Sequence, residues 1–224
     1  MLRHNRPSAV VAFTVLVLLV SAATAPMAAS ATPPPTQCVV NFRGDVLHAP
    51  AGGGARSQEI VVNADCSVTK GPVKTLLPGS PEFAAFIALR QGHANGRVDP
   101  TCWSELDYQD VAWANLTQSR LGMSYDYNYN AGQVTAVYPL AWSTMAAADG
   151  WYLAGQSTNP YTGPLPWGEI SASGTASFAW LAGSFWHQGT NHDSANGFGQ
   201  CWGYPDELGS TVPGGRWFFT VWQL

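Results

Sequence analysis

The sequence predicts a mainly β protein: an antiparallel β-sandwich or barrel with one short helix, stabilised by disulfides. Three observations carry this expectation. In Met123–Trp142, MSYDYNYNAGQVTAVYPLAW, aromatic and apolar residues alternate with polar ones around Ala131-Gly132, the pattern of a β-hairpin. Beyond Cys102 the chain breaks into short apolar runs separated by Gly, Pro, Asn and Ser, with hardly any helical period. The cysteines are four, Cys38, Cys66, Cys102 and Cys201, an even number with no C-x-x-C spacing, which in an exported chain reads as two disulfides.

Export is expected from the N-terminus. Arg3 and Arg6 form a positive region, Val10–Val20 is apolar except at Thr14, and Ala29-Ser30-Ala31 is a small-residue cleavage site, so residues 1–31 read as a signal peptide and the mature chain begins at Thr32. The apolar run is too short for a good transmembrane helix, and no later segment approaches that length. After cleavage no membrane span is expected. Residues 32–37 form a Pro-rich extended spacer.

Residues 38–101 read as a small N-terminal β segment with one helix, and residues 102–224 as an aromatic-rich antiparallel sandwich. In the first segment, Cys38–Phe42 and Glu59–Val62 are expected strands joined through the flexible Gly52-Gly53-Gly54. Those glycines do not make a phosphate loop, because no Lys-Ser or Lys-Thr and no helix follow. Ser80-Pro81-Glu82 marks a helix start, with a cap, a proline at the first helical position and a carboxylate near the positive helix end. Phe83, Phe86, Ile87 and Arg90 follow at helical spacing, an apolar stripe expected to pack in the core, and Gly92 ends the helix.

In the second segment the hairpin register is expected to pair Tyr129 with Val134, Tyr127 with Ala136, Tyr125 with Tyr138 and Met123 with Leu140, all on one face. The other strands are placed near 110–116, 120–129, 134–142, 151–154, 169–172, 175–181, 185–187, 198–203 and 217–223. The last, Trp217–Gln223, is apolar on both faces except at Thr220, which places it in the middle of a sheet. Pairing Cys38 with Cys66 and Cys102 with Cys201 staples each composition zone to itself.

Composition narrows the function. From Thr32 to Thr101 there is no Trp or Tyr; from Cys102 onward lie all ten Trp and all eight Tyr, with nine acidic residues against Arg120 and Arg216, a net charge of −7. Such a surface repels phosphate backbones, so no nucleic acid partner is expected. No G-x-S-x-G occurs, the cysteines are assigned to bridges, and nothing calls for a cofactor.

Three constellations could carry chemistry. Glu105, Asp107 and Asp110, flanked by Trp103 and Trp113, place two carboxylates on one strand face, and a bulge adds the third. The spacing resembles the E-x-D-x-x-E strand of the laminarinase-like glycoside hydrolases, themselves β-sandwiches lined with aromatics, with Asp110 standing where that family has Glu. The resemblance covers six residues and implies a nucleophile, a charge-controlling helper and an acid. In Trp186–Asp193 the imidazoles of His187 and His192 and the carboxylate of Asp193 fall within a stretch read as a polar loop, a candidate metal-ligand set. Finally, ten Trp exceed what one core of this size hides; Trp151 and Tyr152 after Asp149-Gly150, and Tyr161 and Trp167 in a Pro- and Gly-rich stretch, are candidate ligand platforms.

The functional expectation is a secreted, non-catalytic extracellular module that recognises a polysaccharide, cell-wall component or extracellular protein through exposed aromatics. The alternatives are a small glycoside hydrolase using the carboxylate cluster, and a secreted inhibitor or toxin.

Overall fold

The computed structural model describes residues 38–42, 45–90, 102–109, 115–146, 150–160, 165–180, 183, 185–211 and 215–224, and these form fifteen strands and one helix. The expected signal peptide and spacer, the carboxylate of Asp110, and Trp113 and Tyr161 lie outside these residues. The elements are β1 (Cys38–Asn41), β2 (Leu47–His48), β3 (Gly54–Val62), β4 (Val68–Lys70), β5 (Lys74–Leu76), α1 (Pro81–Ala88), β6 (Cys102–Gln109), β7 (Asn115–Met123), β8 (Tyr125–Asn128), β9 (Gln133–Val137), β10 (Ala141–Ala146), β11 (Tyr152–Asn159), β12 (Glu169–Trp180), β13 (Phe185–Asn196), β14 (Cys201–Ser210) and β15 (Gly215–Gln223).

The strands pair antiparallel into two main sheets and one ribbon. The smaller main sheet has six strands in the order β1-β14-β13-β12-β11, with β2 also on β14. The larger has seven in the order β10-β7-β6-β15-β3-β4, with β5 also on β3, and β8–β9 form a two-stranded ribbon. Strands from 38–101 and from 102–224 thus share both main sheets. Between them lies a core in which Leu106, Tyr108, Leu121, Trp217, Phe219 and Val221 from the larger sheet meet Ile170, Ala172, Ala195 and Leu208 from the smaller. This is the sandwich that the alternation predicts.

Both expected disulfides are present. Each crosses from sheet to sheet: Cys38 on β1 reaches Cys66 in the β3–β4 turn, and Cys102 on β6 reaches Cys201 on β14. The last strand sits between β3 and β6, with Trp217, Phe219 and Val221 turned into the core, as its two apolar faces require.

Several local expectations are corrected. Asn115–Met123 is a strand of the larger sheet, and the hairpin proper begins at Tyr125. Its register is Tyr125 with Val137, Asp126 with Ala136, Tyr127 with Val134 and Asn128 with Gln133, broken by a bulge after Asp126. The turn holds Tyr129–Gly132 rather than two residues, closed by Ala131 N–H donating to Asn128 O and Gly132 N–H to Tyr129 O, each at 3.2 Å. Cys102–Gln109 is a full strand. Single long strands, β12 and β13, replace the broken runs expected over 169–181 and beyond 185. Gly174, between the expected runs 169–172 and 175–181, and Gly189, in the stretch read as a loop, mark instead where a side chain of the facing sheet lies on the backbone: Trp142 over Gly174 and Leu106 over Gly189.

Helix α1 starts as expected, with the Ser80 hydroxyl accepting from Phe83 N–H at 3.1 Å and Pro81 next. Its apolar stripe does not enter the core, and none of its residues is fully buried. It lies instead on the outer face of the larger sheet, where the Phe86 ring meets Trp222 edge-on at 5.4 Å.

Candidate functional site

Period two along β6 sends Ser104, Leu106 and Tyr108 into the core and Trp103, Glu105, Asp107 and Gln109 to the outer face. Cross-strand register then builds rows across that face. One row runs Arg120, Glu105, Thr220, Ser57, Lys74 over β7, β6, β15, β3 and β5. The next runs Gln118, Asp107, Phe218, Glu59. A third places Trp103 flat against Trp222, ring centroids 5.5 Å apart, and across Gly122, where a Cβ would come within 2.7 Å of the indole.

Glu105 has no solvent exposure and is held by two arginines. Arg90, just past α1, brings Nε to 3.1 Å from Oε1 and also donates to it through Nη2; Arg120 brings Nε to 2.7 Å and Nη2 to 2.6 Å from Oε2. Two charge-assisted pairs saturate this carboxylate and tie the helix end to the sheet. Asp107 differs. It accepts a 2.8 Å hydrogen bond from Gln118 Nε2, yet burial, and next the charge of Glu105, push its pKa up to about 8, against the opposing pull of Gln118 and Arg90. The pair is therefore a carboxylate held by two arginines beside an acid whose pKa burial raises. That pairing makes a hydrogen-bonding wall in which Glu105 is fully buried.

The residues of the candidate metal set do not converge. Trp186–Asp193 lies within β13 rather than in a loop, so alternation turns His187 and Asp193 into the core several residues apart and His192 outward, where it stacks on Tyr204 at 4.4 Å. Among the described residues no group of three such ligands could hold a metal. His187 sits in an aromatic cage, 4.0 Å from the Tyr108 ring, 4.4 Å from Trp151 and 5.3 Å from both Phe178 and Trp217, with Nε2 at 2.5 Å from Thr117 Oγ1. Burial lowers its pKa to about 3, so the imidazole is neutral. Asp193, wholly buried, is pushed up to about 8 by burial, against the pull of Ser104.

The platform residues separate as well. Trp151 is a half-buried wall of the His187 cage. Tyr152 is exposed on the edge strand β11. Trp167 is half-exposed and fixed by backbone: Val134 N–H donates to its carbonyl at 2.6 Å and its own N–H donates back at 3.2 Å.

Around Trp167 the fold assembles something larger. The β13–β14 turn is built by Asn196, whose Oδ1 accepts from Phe198 N–H at 3.0 Å and Gln200 N–H at 3.1 Å, and it projects the Phe198 ring. That ring lies over Gly132 and meets Tyr129 edge-on at 5.8 Å, while the Tyr127 ring lies over Gly199. Gly197 N–H donates to Gly168 O at 3.1 Å, joining the turn to the Trp167 segment. Tyr127, Tyr129, Trp167 and Phe198, from three separate segments, thus share one end of the molecule at 43%, 64%, 46% and 53% exposure. Gly132 and Gly199 have φ of +62° and +69°, a backbone that favours glycine, so the two turns that present these rings are defined in shape.

Sequence reasoning put Tyr127 and Tyr129 on the aromatic face of a hairpin and passed over Phe198. The available signal was Gly197-Phe198-Gly199 in a turn, an aromatic side chain with no strand to bury it. Arg90, Arg120 and Gln118 were also missed as partners of the carboxylates, because only register and helix docking bring them there. No family model, curated protein or solved structure matches this chain.

Proposed function

We propose that the chain is a secreted, non-catalytic extracellular module that binds a polysaccharide or cell-wall glycan on the platform of Tyr127, Tyr129, Trp167 and Phe198. The observation that carries this reading is the convergence of four half-exposed rings from three segments onto one end, fixed by backbone pairing and by the glycine contacts beneath Phe198 and Tyr127. Aromatic faces at fixed positions stack on the C–H faces of sugar rings, and the tyrosine hydroxyls at their rims offer hydrogen bonds to sugar hydroxyls. The acidic charge of the aromatic segment suits a neutral or cationic glycan.

The test is a depletion assay. The oxidised mature chain from Thr32 is mixed with insoluble polysaccharides and with cell walls, and the protein left in solution is measured. Depletion by one class of material is expected, with Tyr129→Ala and Trp167→Ala each weakening retention about tenfold, the scale of one well-packed anchor, and Tyr152→Ala having no effect. Lack of depletion by every material would refute the glycan reading and leave a protein partner to be sought.

A further inference from the structure

We infer that the pocket between α1 and the outer face of the larger sheet is a second binding site, which takes a small organic anion: a carboxylate carried on an apolar body. This inference is independent of the aromatic platform.

The pocket has a volume of about 240 Å³, and its walls divide by chemistry. Phe86 from α1 and Phe218 from β15 supply apolar surface, and Lys74, Ser57, Thr220 and Asp107 supply the polar side. Lys74 and Ser57 are register partners on β5 and β3, and Ser57 is in turn the partner of Thr220 on β15, so the three stand in one row. Thr220 Oγ1 donates to Ser57 Oγ at 3.0 Å. Having accepted that bond, the Ser57 hydroxyl keeps its own proton for an acceptor in the pocket. Lys74 makes no side-chain hydrogen bond or ion pair among the described residues, and it is exposed at the rim.

Charge completes the argument. Arg90 and Arg120 share the single fully buried carboxylate of Glu105, and Glu59 is already paired with Arg216 at 2.6 Å. With Lys74, the wall of the pocket therefore carries an excess of positive charge that a bound carboxylate would offset.

Benzoate serves as the probe and benzamide as its neutral counterpart, titrated into the full mature chain by calorimetry. Benzoate is expected to saturate one site, with benzamide at least tenfold weaker. Lys74→Gln, a substitution at an exposed rim position, is expected to weaken benzoate about tenfold, and Ser57→Ala to weaken it severalfold.

The site should also respond to pH. The groups facing Asp107 are Glu105 on its own strand, Gln118 and Arg120 from β7, Arg90 after α1, Phe218 and Thr220 from β15, and Ser57 and the Arg216-paired Glu59 from β3. Ionisation of Asp107 near pH 8 adds a negative charge to the wall, so benzoate affinity should fall between pH 6.5 and 9. Equal binding of benzamide and benzoate, no saturable binding of benzoate, or an unchanged affinity in Lys74→Gln would each overturn the inference.

Discussion

Two guanidinium groups on one fully buried carboxylate make Glu105 the most consequential single residue of the outer face. Replacing it with glutamine leaves Arg90 and Arg120 facing a neutral amide at a fully buried position. Breaking a buried pair in this way costs roughly 3–5 kcal/mol. Urea unfolding of Glu105→Gln should show that loss, and a change below about 1 kcal/mol would mean that the arginines find other partners. The buried acids give a second prediction. Asp107 and Asp193 keep their protons to about pH 8 in the fold, whereas their ordinary value is 3.8. Between these limits the unfolded chain ionises and the folded chain does not, so their contribution to stability is lost as pH rises towards 8 and is level above it. His187 works the other way and lower down: its value of about 3 against an ordinary 6.5 costs stability as pH falls from 6.5 towards 3. A series from pH 6.5 to 8.5 therefore isolates the acids. The urea midpoint should drop across that series, and Asp193→Asn should remove about half of the drop.

At the scale of elements, the ribbon β8–β9 matters because it carries half of the aromatic platform and is held by tight contacts. A Cβ at Gly199 would come within 2.7 Å of the Tyr127 hydroxyl, on a backbone with φ of +69°. Gly199→Ala should therefore displace the Tyr127 ring, cost about 1–2 kcal/mol of stability and weaken glycan retention, while far-ultraviolet circular dichroism stays unchanged. Full retention with the fold intact would show that Tyr127 is not part of the platform. Element boundaries were only partly legible in the sequence. The cap at Ser80 and the apolar run Trp217–Trp222 could be read because each is a local signal. The interiors of β12 and β13 could not, because Gly174 and Gly189 carry the same letter in a turn as beneath Trp142 and Leu106. The hairpin register was missed for a related reason: the turn lies at Tyr129–Gly132, which moves the partners beside it by two, and the bulge after Asp126 takes back one of those steps for the outer pairs, and alternation alone records neither.

For the whole molecule, the two disulfides act as covalent ties between the two main sheets. Their sequence separations are 28 residues for Cys38–Cys66 and 99 for Cys102–Cys201. Loop entropy makes the longer one worth more, about 4–5 kcal/mol against about 3–4 kcal/mol for the shorter. Paired serine substitutions, compared by chemical denaturation, should show the larger loss for Cys102 and Cys201. The reverse order would mean that the unfolded chain keeps structure around that long loop.

Alternation, turn residues and cysteine number are local properties, and from them the sequence by itself determined a mainly antiparallel sandwich with one helix, both disulfides and a central last strand. It also marked Glu105, Asp107 and Trp167 as residues of interest. Only the tertiary structure decided what surrounds them, because cross-strand register and helix docking bring together positions far apart in the chain. Those contacts gave Glu105 to two arginines, set Asp107 as a protonated wall of a pocket and turned Trp151 inward. They also placed Phe198 beside Tyr129 to complete an aromatic end that no single stretch of the chain contains.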